Sequence, residues 1–229
     1  MELLDRAPFD QLPRYIVVEG PIGVGKTTLV TRLGQLLEAR TILEIFEENP
    51  FLADFYRDRH RYAFQTEMFF LLSRYRQQES FAQEDLFSRF SISDYLFGKC
   101  RLFAGMTLSD HELALFDKVY GILSRDVPRP DLVIYLHAPV NTLIGRISER
   151  GRDYERDFDA GYLRTLLELY TDFFASYDHT PLLTIDTTGL DFRDDDEALA
   201  NIVGEMVRAT IEGRRDYGAS AQQMSLLDL

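Results

Sequence analysis

The sequence is poor in cysteine, in concentrated positive charge and in long apolar runs. Its 229 residues include one cysteine, Cys100, so an intramolecular disulfide and a cysteine-rich metal site are excluded. Lys and Arg total 25 against 38 Asp and Glu, a net charge of −13, and no basic block occurs. We therefore expect no binding to nucleic acid, which needs clustered positive charge. No apolar run approaches the roughly 20 residues that span a bilayer, so no membrane segment is expected.

Targeting and metal signals are missing as well. The opening segment MELLDRAPFD lacks the basic and apolar regions of a secretory signal, so we expect a cytoplasmic protein. The four histidines are scattered along the chain and suggest no ligand set. In contrast, a hydrophobic content of 45% and a charged content of 28% are typical of a globular protein with a buried core.

Short apolar runs alternate with longer helical patterns, which is typical of a parallel sheet covered by helices on both faces. Ser109 and Glu112 have the spacing of a capping box at the start of one helix. The expected architecture is a single three-layer α/β/α domain over residues 1–213, followed by a flexible tail at 214–229. We predict five strands, at 15–19, 41–45, 90–93, 132–136 and 182–185, and helices near 26–39, 61–85, 95–104, 109–124, 139–150, 159–177 and 193–212.

The strongest motif is a phosphate-binding loop, G-x-x-x-x-G-K-[ST], between a predicted strand and a predicted helix. Its glycines let backbone N–H groups turn toward phosphate oxygens, and the helix N-terminus adds a positive dipole end. Lys26 is expected to reach the β- and γ-phosphates, and the Thr27 hydroxyl to ligate Mg²⁺. The predicted ATP-binding residues here are Gly20, Pro21, Ile22, Gly23, Val24, Gly25, Lys26, Thr27 and Thr28.

This loop indicates a nucleotide but not a reaction. Small kinases, switch GTPases and motor ATPases all contain it. No N-K-x-D motif for reading guanine is present, and 229 residues leave little room for the extra domains of a motor. The sequence therefore favours a small kinase.

Two further positions are candidates for contacts with an acceptor. Glu44 lies near the end of the second predicted strand, where a parallel sheet forms its ligand crevice, so it is either a general base or a surface carboxylate. In the helix near 61–85, Glu67 and Arg74 lie about 10 Å apart along one margin of an apolar stripe. They can read a flat base whose ring packs on the stripe, or belong to a solvated helix flank. The stripe consists of Phe64, Met68, Leu71 and Tyr75.

Six ordered motifs between about residue 14 and residue 192 resemble the deoxyribonucleoside kinase family, most closely its bacterial deoxyguanosine and deoxyadenosine kinase branch. The resemblance implies a P-loop fold with an arginine-rich lid, ATP and Mg²⁺ as cofactors, and a homodimer. It also implies that Glu44 deprotonates the sugar 5′-hydroxyl, and that Tyr56 contacts the 3′-hydroxyl. The motifs are EGPIGVGKTT, EIFEENPFL, FYRDRHRYAFQTEMFFLLSRYRQ, SDYLFGK, PDLVIYL and RISERGRDYE.

The resemblance also implies roles at the two ends of the substrate. Glu67 falls where the family pairs a side chain with the base, with Arg74 beside it and Phe64 stacking nearby. In the lid, Arg146, Arg150 and Arg152 match phosphate-contacting arginines, and Glu155 matches a carboxylate at the 3′-hydroxyl. A purely structural arginine cluster is the alternative. Asp191 and Phe192 fall in the loop that holds the adenine of ATP.

The chain departs from the family at two positions. Many relatives have glutamine where this chain has Glu67, and a carboxylate accepts both adjacent donors of guanine, N1–H and N2–H. We therefore expect a deoxyguanosine kinase; a deoxyadenosine-preferring or broad kinase is the alternative.

Many relatives also have an acidic-Arg-Ser motif where this chain has Ser93, Asp94 and Tyr95. Asp94 is either a helix N-cap or a ligand of the Mg²⁺ water shell, and Lys99 or Arg101 can replace the missing arginine.

Two predictions concern other classes of function. Some relatives of this fold are non-catalytic nucleotide-binding subunits, and the loss of the acidic-Arg-Ser motif leaves this alternative open. The segment from Gln223 to Leu227 is similar to short peptides that dock on the bacterial replication sliding clamp, although a frayed apolar end is the more common explanation of so short a motif.

Overall fold

The structure, a computed structural model, describes residues 11–46, 48–84, 88–151 and 159–218. Strands and helices alternate along most of the chain, as the apolar runs predict. The strands are β1 (Tyr15–Glu19), β2 (Arg40–Ile42), β3 (Ser91–Ser93), β4 (Leu132–His137), β5 (Leu182–Asp186) and β6 (Arg214–Tyr217). The helices are α1 (Lys26–Leu36), α2 (Leu52–Arg57), α3 (Arg59–Glu84), α4 (Lys99–Thr107), α5 (Asp110–Leu123), α6 (Val140–Arg150), α7 (Ala160–Ala175) and α8 (Asp196–Glu212).

The strands form one parallel sheet in the order β2-β3-β1-β4-β5-β6. The two central strands, β1 and β4, are almost entirely buried, because helices cover both faces of the sheet. All carboxyl ends of the strands meet at the same edge, which is where a parallel sheet binds its ligands. The three-layer α/β/α prediction is therefore confirmed.

The prediction of five strands is wrong, because β6 adds a sixth within the segment expected to be a flexible tail. Arg214 pairs with Leu182 and Tyr217 with Ile185, so β6 extends the sheet beyond β5. Its residues are polar and half-exposed or exposed, as an edge strand permits. A flexible tail has the same polar composition, so the sequence pattern did not distinguish the two. From residue 219 onward the predicted tail lies outside the described residues.

The structure also differs from the prediction in one additional helix and in the residue at which another helix begins. A short helix, α2, follows the segment after β2, where no helix was expected. The helix predicted to begin at 95 begins instead at Lys99, after a turn. The five predicted strands all exist, and the capping box at Ser109 and Glu112 is confirmed in both directions.

Helix α3 packs most of its predicted apolar stripe into the protein core. Leu71 is fully buried, and Met68 and Tyr75 pack around the same cluster. The expectation that this stripe packs on a bound base is therefore wrong, because neighbouring helices already cover it. The other buried members of this cluster are Phe97, Cys100, Ala104 and Phe116. No described helix is long and apolar enough to cross a membrane.

Candidate active site

The phosphate-binding loop connects the end of β1 to the start of α1. Gly25 has a φ of 104°, in the left-handed region, and a Cβ there would lie 3.1 Å from the Phe192 ring. The Lys26 ammonium donates to the carbonyl oxygens of Gly20 at 2.8 Å and Pro21 at 3.1 Å. Burial, reinforced by Lys99, lowers the pKa of Lys26 to about 8. The loop therefore holds a cation inside a ring of backbone groups at the start of a helix, as a phosphate cradle requires.

An open cleft of about 1180 Å³ extends from this loop along the carboxyl edge of the sheet. It is lined by most of the residues predicted from the sequence, and these come from several separate segments of the chain. Among the predicted residues that the structure describes, Gly20, Pro21 and Phe64 do not line it. The predicted residues that do line it are Ile22, Gly23, Val24, Gly25, Lys26, Thr27, Thr28, Glu44, Tyr56, Glu67, Arg74, Asp94, Arg146, Arg150, Asp191 and Phe192.

Glu44, which follows β2, is the most strongly paired carboxylate of the cleft. Arg74 donates to its Oε1 through Nε at 2.8 Å and also through Nη2, and Lys99 donates to its Oε2 at 3.0 Å. Burial alone favours the neutral acid, but these two cations lower the pKa of Glu44 far below its ordinary value. Glu44 is therefore a carboxylate throughout the physiological pH range.

Arg74 consequently has a different position from the one predicted. We expected it to stand beside Glu67 at the base, but its guanidinium bonds Glu44, and its Nη1 donates to the Cys100 sulfur at 3.0 Å. The 3.6-residue period correctly put Glu67 and Arg74 on the cleft side of α3. It could not show which partner would meet Arg74 from another element.

Lys99, at the first position of α4, was one of two suggested replacements for the missing arginine. Its Nζ lies between two carboxylates, 3.0 Å from Glu44 and 4.0 Å from Glu19. Arg101 instead forms a half-exposed ion pair with Asp117 at 2.5 Å and does not line the cleft. Burial opposes the charge of Lys99, but the two carboxylates outweigh it and raise its pKa. Lys99 is thus the cation that accompanies Arg74 at Glu44.

Glu19, the last residue of β1, is a site residue that the sequence reasoning missed. Its Oε1 accepts from the Gly20 amide at 2.8 Å and from the Tyr170 hydroxyl at 2.9 Å, and its Oε2 accepts from the Leu96 amide at 2.8 Å. It thereby ties the phosphate-binding loop to the turn before α4 and to α7. A carboxylate directly before a glycine-rich loop, inside an otherwise apolar strand, was the signal available in the sequence.

Asp94 follows β3 and faces the start of α1. Its Oδ2 accepts from the Thr27 hydroxyl at 2.7 Å, and its Oδ1 accepts from the Glu44 amide at 2.6 Å. The N-cap alternative is wrong, because no helix begins at Tyr95. Burial raises the pKa of Asp94, although the bond from Thr27 opposes this effect. Among the described residues no group of three or more His, Cys, Asp or Glu side chains is arranged as a metal site.

Glu67, on α3, also lines the cleft. It is buried, and its Oε1 accepts from the Thr107 hydroxyl at 3.2 Å. Burial raises the pKa of Glu67 to about 7, although Arg74 and the hydrogen bond from Thr107 lower it to a smaller extent.

Phe70, one turn after Glu67 on α3, lines the cleft where we had expected Phe64. The two phenylalanines differ by about 120° around the helix, so only one can face the cleft.

The structure describes some of the residues predicted for the lid and for the adenine loop. Arg146 on α6 donates to the Val24 carbonyl at 3.3 Å and to the Thr187 carbonyl at 2.7 Å, so it joins the phosphate-binding loop to the segment after β5. Arg150 lines the cleft, whereas Arg152 and Glu155 lie outside the described residues. Phe192 packs against Gly25, and Asp191 is exposed and paired with Arg193 at 3.1 Å.

The chain is similar to known proteins over most of its length. A family model described as deoxynucleoside kinase matches residues 16–212. A deoxyguanosine kinase of Bacillus subtilis is 38% identical over 201 residues, which cover 84% of this chain and 97% of that protein. A deoxyadenosine kinase of Dictyostelium discoideum is 32% identical over 205 residues, covering 88% and 80% respectively. The solved structure of a deoxyadenosine kinase from M. mycoides has a TM-score of 0.70 at 23% identity and covers 85% of this chain and 99% of that one.

These relatives are phosphotransferases, so the enzymatic interpretation is confirmed over that of a non-catalytic subunit. ATP and a deoxynucleoside are the small molecules that such an enzyme binds. Since the family model covers most of the chain and the relatives are similar over nearly their full lengths, this chain belongs to the deoxynucleoside kinase family.

Proposed function

We propose that this kinase transfers the γ-phosphoryl group of ATP to the 5′-hydroxyl of a purine deoxyribonucleoside, with deoxyguanosine as the preferred substrate. The observation that carries the proposal is the buried Glu67 carboxyl group in the lining of the same cleft as the phosphate-binding loop. As a carboxylate it accepts both donors of the guanine edge, N1–H and N2–H, in one bidentate contact.

On the phosphate side, Lys26 and the backbone amides of the loop hold the phosphates of ATP. Thr27 and Asp94 would hold a Mg²⁺ ion on this side, because their oxygens lie 2.7 Å apart and Mg²⁺ takes few carboxylates and keeps several waters. When bound, Mg²⁺ neutralises charge on the phosphate oxygens. Arg146 and Arg150 stabilise the charge that spreads over the transferred group, together with Arg152 from the segment outside the described residues.

On the acceptor side, Glu44 holds and deprotonates the sugar 5′-hydroxyl. Its carboxylate is always ionised and still has lone pairs for a further donor beside Arg74 and Lys99. Such a carboxylate is a weak base, so it takes the proton only as the oxygen–phosphorus bond forms. Tyr56 lines the same part of the cleft and contacts the 3′-hydroxyl, with Glu155 as its partner there.

A deoxyadenosine-preferring or broad kinase is the second candidate. Relatives carry both deoxyguanosine kinase and deoxyadenosine kinase names, and a neutral Glu67 would suit adenine.

A coupled assay of ADP release tests these alternatives, with deoxyguanosine, deoxyadenosine, deoxycytidine and thymidine measured in parallel. We expect the highest kcat/KM for deoxyguanosine, a loss of preference in Glu67→Gln, and a loss of roughly 100-fold or more in kcat for Glu44→Gln. A higher kcat/KM for deoxyadenosine, with the preference unchanged in Glu67→Gln, would contradict the proposal.

We also propose that the enzyme is a homodimer that associates through α5. Leu115 and Ile122 lie seven residues apart on one face of this helix, and their exposed fractions are 53% and 64%. We expect sedimentation analysis to give a dimer, and Leu115→Glu combined with Ile122→Glu to give a monomer. Ile211→Glu, at an equally exposed position on α8, is the control and should remain dimeric. A monomeric unmodified chain would refute this arrangement.

The contact between the C-terminal peptide and a sliding clamp remains a proposal, since residues 223–227 lie outside the described residues. A pull-down with the clamp protein tests it. We expect capture by the full chain and none after deletion of residues 222–229; capture that survives the deletion would end the idea.

A further inference from the structure

The two carboxylates of the cleft have opposite environments. Glu44 has a cation on each oxygen, Arg74 on Oε1 and Lys99 on Oε2. Glu67 is more deeply buried, at 3% exposed, yet its one partner is the neutral hydroxyl of Thr107. In the part of the chain that the structure describes, no other hydrogen bond or ion pair is formed by Glu67. The cleft therefore stabilises the charge of one carboxylate and leaves the other without a dedicated counter-charge.

The charged groups near Glu67 do not compensate for its burial. The cation that lowers the pKa of Glu67 most, Arg74, is already bonded to Glu44 and to the Cys100 sulfur. Burial consequently outweighs all other effects and raises the pKa of Glu67 to about 7. Five titratable or charged side chains interact electrostatically with Glu67. They are Arg74 on α3, Glu44 after β2, Lys99 and Cys100 on α4, and Tyr162 on α7.

The two forms of this carboxyl group are complementary to different purines. The carboxylate has acceptors only and matches the N1–H and N2–H donors of guanine. The neutral acid has one O–H donor and one carbonyl acceptor, so it matches adenine, which offers an N1 acceptor beside an N6–H donor. A carboxylate against adenine places an oxygen lone pair against the N1 lone pair in a buried position, which costs binding. The neutral acid pairs with guanine only through O6 and N1–H, and this neutral pair is weaker than the charge-assisted contact of the carboxylate.

We propose that Glu67 changes its protonation state near neutral pH and that each state selects a different base: the carboxylate takes deoxyguanosine and the carboxylic acid takes deoxyadenosine. This inference rests on the proposed function, in which Glu67 contacts the base. One residue then gives the enzyme two substrates, and the ratio between them follows the pH. The proton comes from solvent when deoxyadenosine binds to the ionised form, and it returns to solvent when deoxyguanosine binds to the neutral form.

The ratio of kcat/KM for deoxyguanosine to that for deoxyadenosine tests this, measured from about pH 5.5 to about pH 8.5. The ratio cancels the titration of Glu44, Lys26 and ATP, which are common to both reactions. We expect it to rise with pH by roughly tenfold to 100-fold across this range. In Glu67→Gln, whose amide resembles the neutral acid, the ratio should be independent of pH and should no longer favour deoxyguanosine. Glu79→Gln removes the same charge from an exposed position of α3 and should behave as the unmodified enzyme.

Proton exchange on binding provides a test that requires no turnover. Calorimetry near pH 7, in buffers of different ionisation enthalpy, measures the protons taken up or released with each nucleoside. Binding of deoxyadenosine should take up about 0.5 proton, and binding of deoxyguanosine should release about 0.5 proton. Both values should approach zero in Glu67→Gln.

The outcomes separate this inference from the function on which it rests. A constant ratio in the unmodified enzyme, with an altered base preference in Glu67→Gln, would overturn the protonation switch and keep Glu67 as the base-reading residue. An equal pH response in Glu67→Gln would assign the titration to another group and overturn the switch. A preference unaffected by both pH and substitution would overturn the switch and the proposed role of Glu67 together.

Discussion

At the scale of single residues, the cleft depends on how each buried charge is compensated. Glu44, Arg74 and Lys99 form one network in which every member has an opposite charge within 3.0 Å. Glu19 extends this network to the phosphate-binding loop through the Gly20 amide. Because these groups are buried, the removal of one member leaves the others with an uncompensated charge, which is far more costly than the loss of a surface pair.

Replacement of Lys99 tests this network directly. We expect Lys99→Met to lower kcat by roughly tenfold to 100-fold and to destabilise the fold by about 3 kcal/mol, because Glu44 and Glu19 lose their shared cation. Lys99→Arg should recover part of both losses. Arg101→Met, which breaks the half-exposed pair with Asp117, should change kcat less than about twofold. Steady-state kinetics and thermal unfolding measure both effects, and equal results for the two lysine variants and Arg101→Met would contradict the assignment.

Glu67 makes a second prediction, on stability rather than activity. A carboxyl group whose pKa is raised in the folded state binds more protons there than in the unfolded chain, so stability falls as the pH rises from about 4.5 to about 7. Glu67→Gln removes this penalty and should stabilise the protein at pH 8 by about 3 kcal/mol, with the gain disappearing toward pH 5. Urea unfolding at both values measures it. A gain that is the same at both pH values would mean that Glu67 does not titrate in this range.

At the scale of elements, the ends of helices and loops place the chemistry. Helix α1 begins within the phosphate cradle, α4 begins at Lys99, and α3 contributes Glu67 and Arg74 from one face. The capping box at the start of α5 fixes where the chain turns after Thr107, the residue that bonds Glu67. Element boundaries therefore decide which side chains reach the cleft.

The capping box has a measurable contribution of its own. Ser109→Ala removes the hydroxyl that caps α5 and should cost about 1 kcal/mol of unfolding free energy. Ser124→Ala at the other end of the same helix is the matched control, with an expected change below about 0.5 kcal/mol. Denaturant unfolding distinguishes the two. Equal effects at both ends would show that the capping interaction contributes nothing.

At the scale of the whole molecule, the sheet is larger than the apolar runs suggest. Strand β6 covers the edge of β5, and Arg215 within it forms an ion pair with Glu205 on α8, a side chain that is 9% exposed. The last strand therefore completes the packing of α8 against the sheet.

Two truncations separate the strand from the segment that follows it. A chain that ends at residue 218 keeps β6, whereas a chain that ends at residue 213 loses it. We expect the shorter chain to unfold at a temperature several degrees lower than the longer one, because β5 becomes an exposed edge and the largely buried Glu205 loses its ion pair with Arg215. Thermal unfolding of both chains measures the difference. Identical midpoints would show that β6 adds no stability.

Some features of this molecule could be predicted from the sequence and others could not. Features that depend on residues close together in the chain were predictable. They are the phosphate-binding loop, the strands β1 to β5 and the capping box. The position of Arg74 was not predictable, because its helical face is compatible with Glu67 and with Glu44, and only the second lies within reach. Strand β6 was missed because an edge strand tolerates polar residues that also suit a tail.

The sequence by itself indicated a nucleotide and the fold class, since a local motif and a hydrophobic period specify these directly. Its resemblance to a known family indicated most of the other positions that line the cleft. The tertiary structure alone decided the partner of each charge. Glu44 meets Arg74 across 30 residues of sequence and Lys99 across 55, and no local pattern encodes such separations. It also decided the environment of Glu67, because the pKa of a carboxyl group depends on burial and on the charges that the fold brings near it.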